Sequence, residues 1–135
     1  MTINDPAQAP LGRGETILVT EDTDSVRAML AEMLVGLGYK VLQAANASTA
    51  LALLRDQQVD LLLSDVLLGD QVSGIELARA ARATDPRMRI VLMSGHMEHL
   101  LPKTDSEVCD AILMKPYRRH ELASRVRELL DTRVS

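Results

Sequence analysis

The sequence predicts an α/β fold built around a parallel β-sheet. Five apolar runs of four or five residues recur along the 135-residue chain, and amphipathic stretches of about ten to fourteen residues separate them. This alternation is typical of repeated strand–helix units, whose strands lie parallel. The run Leu61–Leu63 is apolar at every position, as expected of a strand that is buried on both faces.

The first half of the chain contains three predicted strands and two predicted helices. Residues 16–20 form the first strand, and Asp24 and Ser25 offer capping oxygens to a helix over residues 26–37. Gly38 is a typical C-terminal stop for that helix. The remaining elements of this half are a strand at 40–44, a helix that Asn46 or Ser48 caps and that runs through Leu54, and a strand at 61–64.

The second half continues the alternation but includes one irregular segment. A helix over residues 75–83 ends before Asp85 and Pro86, because the residue before a proline avoids the helical region. Residues 95–110 follow no clear pattern, and Pro102 limits the fourth helix to a short or irregular one. The other predicted elements are strands at 89–93 and 111–114, the short helix at 97–101 and a last helix at 120–130.

Composition favours a single domain and excludes several classes of function. A hydrophobic content of 47% can form a core without disulfides, and the lone Cys109 cannot form an internal one. A net charge of −4 gives no electrostatic reason to expect nucleic acid or an anionic membrane as a direct partner. No apolar run approaches the roughly 18 residues of a membrane span, and no signal peptide is recognisable. We therefore expect a cytoplasmic location.

The domain is expected to span residues 15–131. Residues 1–14 are rich in proline and turn-forming residues and have little apolar surface, which predicts a flexible lead-in. Residues 132–135 follow the last predicted helix as a tail.

Polar side chains follow four of the five predicted strands. Glu21 and Asp22 come after the first strand, Asp65 after the third, Ser94 after the fourth and Lys115 after the fifth. In open α/β sheets the carboxyl ends of parallel strands meet at one edge, where ligands bind, so these side chains are expected to lie together. Carboxylates, a hydroxyl and an ammonium at one edge are suited to phosphoryl transfer.

The residue types suggest a role for each member of this set. An aspartate that attacks a phosphate must overcome charge repulsion, so a divalent cation is needed. Mg²⁺ prefers oxygen ligands, and Glu21, Asp22 and Asp65 can supply carboxylates. Asp65 is the predicted phosphoacceptor. Lys115 and Ser94 would donate to the phosphoryl oxygens as charge develops there.

Four segments together resemble the receiver domain of two-component response regulators. They are LVTEDTDSVR, LLLSDVLL, VLMSGH and LMKPY, and the resemblance extends from Glu15 to Leu130. It implies a doubly wound sheet of five strands in the flavodoxin-like order 2-1-3-4-5. It also implies Mg²⁺-dependent transfer of a phosphoryl group to Asp65 from a histidine kinase or histidine phosphotransfer protein. The phosphorylated domain would then signal to a downstream protein target, in a two-component system or a phosphorelay.

The resemblance adds finer expectations. The backbone carbonyl of Leu67 would complete the metal shell, and the peptide bond before Pro116 would be cis, as in many relatives. In amino-acid sequence, the segments DVLLGDQVSGIELA and VLMSGH most resemble receivers that are attached to, or serve, hybrid histidine kinases. Such a module is a signalling protein rather than an enzyme, although it catalyses its own phosphorylation and dephosphorylation.

The chain departs from the family pattern at several positions. Gly69 stands in a loop where many relatives carry proline, which leaves that loop more flexible. Ile112 occupies the position of the aromatic switch, so the usual coupling of Ser94 to the output face through an aromatic swing is not expected. Leu67 and His96 occupy the two positions that gate the attacking water. Because Leu67 is apolar, a long-lived aspartyl-phosphate is predicted.

Two other functions fit parts of the pattern. A Mg²⁺-dependent phosphatase with an aspartyl-phosphate intermediate would use the same carboxylates, but it would usually need a second aspartate where Leu67 stands. A degenerate interaction module that no longer accepts phosphate would be expected only if metal binding failed. His96 and His99 are three residues apart, but no third metal ligand accompanies them, so exposed histidines are the simpler interpretation.

Overall fold

Five parallel strands form one sheet in the computed structural model of the chain, which describes residues 10–69, 73–95 and 108–132. Within these residues the strand order is β2-β1-β3-β4-β5 and every pairing is parallel, which confirms the predicted doubly wound fold. The strands are β1 (Thr16–Thr20), β2 (Lys40–Ala44), β3 (Leu61–Asp65), β4 (Arg89–Ser94) and β5 (Ala111–Met114). The helices are α1 (Asp24–Gly36), α2 (Ala47–Asp56), α3 (Ser73–Thr84) and α4 (Arg119–Asp131).

The helix starts agree with the prediction at α2 and differ at α1. Asn46 caps α2 by accepting a hydrogen bond from the backbone N–H of Thr49, at 2.8 Å. The N-cap of α1 is Thr23, whose side chain makes no capping bond, so the prediction that Asp24 and Ser25 cap this helix was wrong. Both residues lie in the first turn of α1, where Asp24 forms an ion pair one turn along the helix instead.

Two strands are one residue longer than predicted, and both additions matter for the site. β3 includes Asp65 and β4 includes Ser94, so these two side chains project from the sheet itself. The predicted short helix at 97–101 lies outside the described residues. None of the helices in the described part of the chain is long and apolar enough to cross a bilayer.

Alternate residues of the central strands face two separate apolar cores. Leu62, on β3, packs with α2 and α3, whereas its neighbours Leu61 and Leu63 pack with α1 and α4. All five residues of β3 are buried, as are all six of β4. The continuous apolar run therefore reflects helices on both faces of the sheet, as predicted.

The last residues of the predicted lead-in contact the domain at the amino end of the sheet. The backbone N–H of Gly12 donates to the carbonyl of Leu37 at 2.6 Å, and that of Gly14 donates to the carbonyl of Gly38 at 3.0 Å. These carbonyls lie at the C-terminal end of α1, where intrahelical donors run out. Residues 12–14 thus complete the hydrogen bonding of that end, whereas residues 1–9 are outside the described part.

A cluster around Arg127 joins the same segment to α4. The Arg127 guanidinium donates to Glu15 at 2.7 Å, to Asp131 at 2.8 Å and to the carbonyl of Leu11 at 3.3 Å. Burial alone would raise the pKa of Glu15, but the hydrogen bonds from Arg127 and from the backbone of Arg13 outweigh it and lower that pKa to about 2. We call these residues the Arg127 cluster.

Candidate functional site

The carboxyl ends of four strands bring the predicted site residues to one edge of the sheet. Asp65 ends β3 and Ser94 ends β4, while Glu21 and Lys115 directly follow β1 and β5. β1 pairs with β3, β3 with β4 and β4 with β5, so these residues form a row across neighbouring strands. Asp22 lies next to Glu21 in the loop after β1.

Lys115 forms an ion pair with Asp65. Its Nζ lies 2.6 Å from Asp65 Oδ2, and the Asp65 side chain is only 11% exposed, so bulk solvent screens the pair weakly. The backbone N–H of Lys115 donates to the carbonyl of Ser94 at 2.7 Å, which ties the end of β5 to the end of β4. An ammonium is therefore held against the predicted phosphoacceptor. The Lys115–Pro116 peptide bond is cis, as the family resemblance implies.

Backbone contacts fix the segment that follows Asp65. The N–H of Val66 donates to the carbonyl of Met93 at 2.9 Å, and the N–H of Leu67 donates to Asp65 Oδ1 at 3.3 Å. Gly74, in the first turn of α3, donates its N–H to the carbonyl of Val66 at 2.9 Å, and a Cβ at this glycine would overlap the carbonyl oxygen of Asp65. The absence of a side chain at Gly74 therefore lets α3 approach the end of β3.

Glu21 is buried beside Asp65. It is 3% exposed, and its Oε2 has no hydrogen-bond partner among the described residues. Burial first, and the neighbouring Asp65 carboxyl second, raise the pKa of Glu21 to about 7. A carboxylate buried without sufficient positive charge is costly, so this oxygen is suited to a cation at the edge of the sheet.

Two donors shape the loop that carries the acidic pair. The backbone N–H of Gly69 donates to Asp22 Oδ2 at 3.1 Å. Arg27, one turn into α1, donates from Nη1 to the carbonyl of Glu21 at 2.9 Å and from Nη2 to Asp24 Oδ1 at 2.6 Å. Arg27 was not predicted to be near the site. The feature of the sequence that could have indicated it is its position one helical turn after Asp24.

The donor set fits a divalent cation with an incomplete protein shell. Within residues 10–69, 73–95 and 108–132, no three carboxylate, imidazole or thiol side chains converge as a closed metal-binding cluster. Mg²⁺ does not need one, because it usually takes one or two carboxylates and keeps several waters. Oxygens of that kind are supplied by Glu21, whose Oε2 has no partner in the described part of the chain, by the exposed Asp22 and by the predicted phosphoacceptor Asp65.

The remaining predicted residues have different surroundings. Ser94 is buried at the end of β4, and Leu67 is half-buried next to Asp65. Ile112, at the position of the aromatic switch, is half-buried on β5 and packs against the core formed with α2 and α3. His96, the second predicted gating residue, lies outside the described residues.

Tyr117 is a site neighbour that the sequence analysis missed. It lies two residues after Lys115, is half-buried, and its hydroxyl donates to Met93 Sδ at 3.0 Å. Burial raises the pKa of Tyr117 to about 12, and the charges of Glu21 and Asp65 contribute to the increase. The phenol therefore lies close enough to both carboxyls for their charges to affect its ionisation.

The sequence and the fold match known proteins. Residues 17–127 match the model of the response regulator receiver domain. The response regulator receiver protein CpdR of Brucella abortus is 31% identical over 115 residues, which cover 84% of this chain and 95% of CpdR. The receiver domain of the hybrid histidine kinase CckA is 31% identical, with a TM-score of 0.70 over 86% of this chain and 99% of that one.

A third match is the response regulator TrrA of Thermotoga maritima, whose crystal structure is a complex with Mg(2+)-BeF. It is 27% identical, with a TM-score of 0.77 over 85% of this chain and 98% of that one. These matches confirm the resemblance, including its likeness to a hybrid kinase receiver. The chain belongs to the response regulator receiver domain family.

Proposed function

We propose that this domain accepts a phosphoryl group on Asp65, in a Mg²⁺-dependent reaction, from a histidine kinase or a histidine phosphotransfer protein. The observation that carries the proposal is the Lys115–Asp65 ion pair at 2.6 Å, set beside the buried and unpartnered oxygen of Glu21. An ammonium and a cation site at the same carboxylate are what the transfer of a charged phosphoryl group requires.

Each side chain has a defined task in this proposal. An Asp65 carboxylate oxygen forms the new bond to phosphorus as the bond to the donor nitrogen breaks, and the imidazole leaves with the electron pair of that bond. Lys115, already paired with Oδ2, donates to the transferred phosphoryl oxygens, and Ser94 provides a hydroxyl from the neighbouring strand end. Glu21, Asp22, Asp65 and the backbone carbonyl of Leu67 would hold Mg²⁺, which would neutralise negative charge during the transfer.

The partners follow from the same chemistry. The donor is a phosphohistidine protein, and the reader of the phosphorylated state is a downstream protein target. CckA, by its name, is a hybrid histidine kinase, and its receiver domain supports a kinase or phosphorelay partner for this chain. The module is a signalling protein that turns over its own phosphoryl group rather than an enzyme for a separate substrate, it spans residues 15–131, and it acts in the cytoplasm.

The test is the intact mass of the protein after incubation with Mg²⁺ and acetyl phosphate. The expected result is a single added phosphoryl group that is absent from Asp65→Asn and absent when the metal is chelated. Asp60→Asn, which changes a carboxyl at the opposite end of β3, should still be phosphorylated. A wild-type protein that gains no phosphoryl group and binds no Mg²⁺ would instead be the degenerate interaction module.

A further inference from the structure

A backbone hydrogen bond connects the acceptor loop to the acidic pair. Gly69, four residues after Asp65, donates its N–H to Oδ2 of Asp22 at 3.1 Å. The two residues are 47 positions apart in the sequence, and they meet because β1 and β3 are neighbours in the sheet. The bond therefore spans the two loops that carry the predicted cation ligands.

Asp22 needs a partner of this kind more than Glu21 does. Glu21 is enclosed by the protein, whereas Asp22 is exposed and packing does not select its side-chain rotamer. A hydrogen bond to a carboxylate is charge-assisted and stronger than one between neutral groups. With Oδ2 bound to Gly69, the other oxygen of Asp22 remains available to a ligand.

The residues that precede Gly69 in the loop after Asp65 are fixed by hydrogen bonds and by burial. The Leu67 N–H donates to Asp65 Oδ1, and the carbonyl of Leu68 accepts from the Ser73 hydroxyl at 3.4 Å. Leu68 is itself buried in the core formed with α2 and α3. The N–H of Gly69 is thus attached to anchored residues on its N-terminal side.

Glycine suits this position for two reasons. Its φ is +72°, a conformation that side-chain-bearing residues rarely adopt, although a Cβ at this position would meet open space. Its N–H is also the donor in question. Proline, which many relatives carry here, has no N–H and holds φ near −65°, so it could not make this bond.

We propose that the Gly69 backbone N–H is a positioning donor that orients Asp22 beside Asp65 for a divalent cation. The inference rests on the proposed function, since it concerns the same cation. Gly69 acts through Asp22 and touches neither the phosphoryl group nor the metal.

The first test asks whether the hydrogen bond from Gly69 to Asp22 exists in solution without added Mg²⁺. It measures the rate at which the Gly69 amide proton exchanges with water, by NMR. Asp22→Ala and Asp22→Asn both remove the charge, but only Asn keeps an oxygen acceptor. We expect exchange to be about threefold to tenfold faster in Asp22→Ala than in Asp22→Asn. Equal exchange in the two variants would overturn the proposal, because the N–H would then have no partner at Asp22.

The second test is a Mg²⁺ titration followed by the amide shifts of Ser64 and Asp65. Gly69→Pro removes the donor, whereas Gly69→Asn keeps the N–H and tolerates a positive φ. We expect the Mg²⁺ dissociation constant to rise about fivefold in Gly69→Pro and to stay within about twofold in Gly69→Asn. Thermal unfolding of both variants checks that they fold.

The outcomes separate this inference from the proposed function. Wild-type protein that binds Mg²⁺, with Gly69→Pro and Gly69→Asn equally affected, would overturn the role of Gly69 alone. If the wild-type protein does not bind Mg²⁺, the proposed function is overturned. The amide exchange experiment would then still show whether the Gly69–Asp22 hydrogen bond exists.

Discussion

Charged groups are paired at the amino end of the sheet and crowded at the carboxyl end. At the amino end, Arg127 pairs with Glu15 and Asp131, and Arg89 donates to the carbonyls of Leu129 and Thr132 at the end of α4. The Arg89 Nε–Leu129 distance is 3.0 Å. Arg127 and Arg89 thus each donate to at least two oxygens.

The carboxyl end has the opposite balance. Among the described residues, the carboxyls of Glu21, Asp22 and Asp65 lie near the ammonium of Lys115, and one buried oxygen of Glu21 lacks a partner. Arg27, another cation at this end, donates to the Glu21 carbonyl and to Asp24 rather than to these three carboxyls. Burial of this kind costs stability, and sites with shifted pKa values are often functional. One end of the sheet therefore contributes stability, while the other buries charge at a cost in stability, as the proposed phosphoryl transfer would require.

Of the charged groups at the two ends of the sheet, Arg127 should be the most sensitive to substitution. Arg127→Ala should lower the free energy of unfolding by about 3 kcal/mol, because it leaves the partly buried Glu15 carboxylate without its main partner. Urea unfolding at neutral pH measures this. The control is Arg125→Ala on the same helix, whose side chain is 45% exposed and 3.8 Å from Glu128, and which should change stability by less than about 0.5 kcal/mol. Equal losses in the two variants would contradict the claim that the Arg127–Glu15 pair stabilises the amino end of the sheet.

At the carboxyl end of the sheet, removing a charge should raise stability rather than lower it. Folding raises the pKa of Glu21 from 4.5 to about 7, so its protonated form is favoured in the folded protein and its contribution to stability falls as pH rises toward and through 7. Glu21→Gln should therefore stabilise the protein by about 2 kcal/mol at pH 8 without added Mg²⁺, and by almost nothing below about pH 4.5. Glu32→Gln, at an exposed position of α1, should change stability little at either pH. A destabilised Glu21→Gln at pH 8 would refute this.

Glu15 should show the reverse dependence on pH. Its pKa is lowered to about 2 in the folded protein, so its contribution is present above the ordinary value of 4.5 and is lost as pH falls toward 2. Glu15→Gln should cost about 1–2 kcal/mol at pH 7 and less at pH 3, since glutamine still accepts a hydrogen bond. Chemical unfolding at both pH values measures the difference. A cost that does not change with pH would mean that the Glu15 charge is not what stabilises this end.

The mildest change is expected in the lifetime of the phosphorylated state. Leu67 is half-buried beside Asp65 and cannot orient a water, so the aspartyl-phosphate should be long-lived. In Leu67→Asn the aspartyl-phosphate should hydrolyse about tenfold faster, because the asparagine amide can hold a water near the phosphorus. The decay of the phosphorylated mass after removal of the donor measures this, with Leu67→Met as the apolar control. Slower decay in Leu67→Asn would overturn the assignment.

The structure contains all five predicted strands, two of them one residue longer than predicted. The residues predicted at the strand ends lie in a row along one edge of the sheet. Apolar runs such as Leu61–Leu63 mark buried strands, and a charged residue directly after such a run must lie at the strand end. Asp65 and Lys115 could therefore be placed together from 50 positions apart. The capping of α1 was wrongly predicted because Asp24 pairs with Arg27, a choice between two local partners that residue type does not resolve.

Contacts between distant backbone atoms could not be read from the sequence. Gly69 donates to Asp22, and Gly74 allows α3 to approach Asp65. Arg127, to which no role was assigned from the sequence, is the centre of a cluster that includes Glu15. Each of these roles depends on which loops the sheet order brings together.

The amino-acid sequence alone specifies the parallel α/β architecture, the aliphatic core and the identity of the residues at the strand ends. Those properties follow from hydrophobic periodicity, which is local. Three features emerge only when the chain is folded: the burial of Glu21, whose Oε2 is unpaired among the described residues, the pairing of Lys115 with Asp65, and the pairing of Arg127 with Glu15. Burial and ion pairing depend on distances between elements, and these are set when the helices and strands pack.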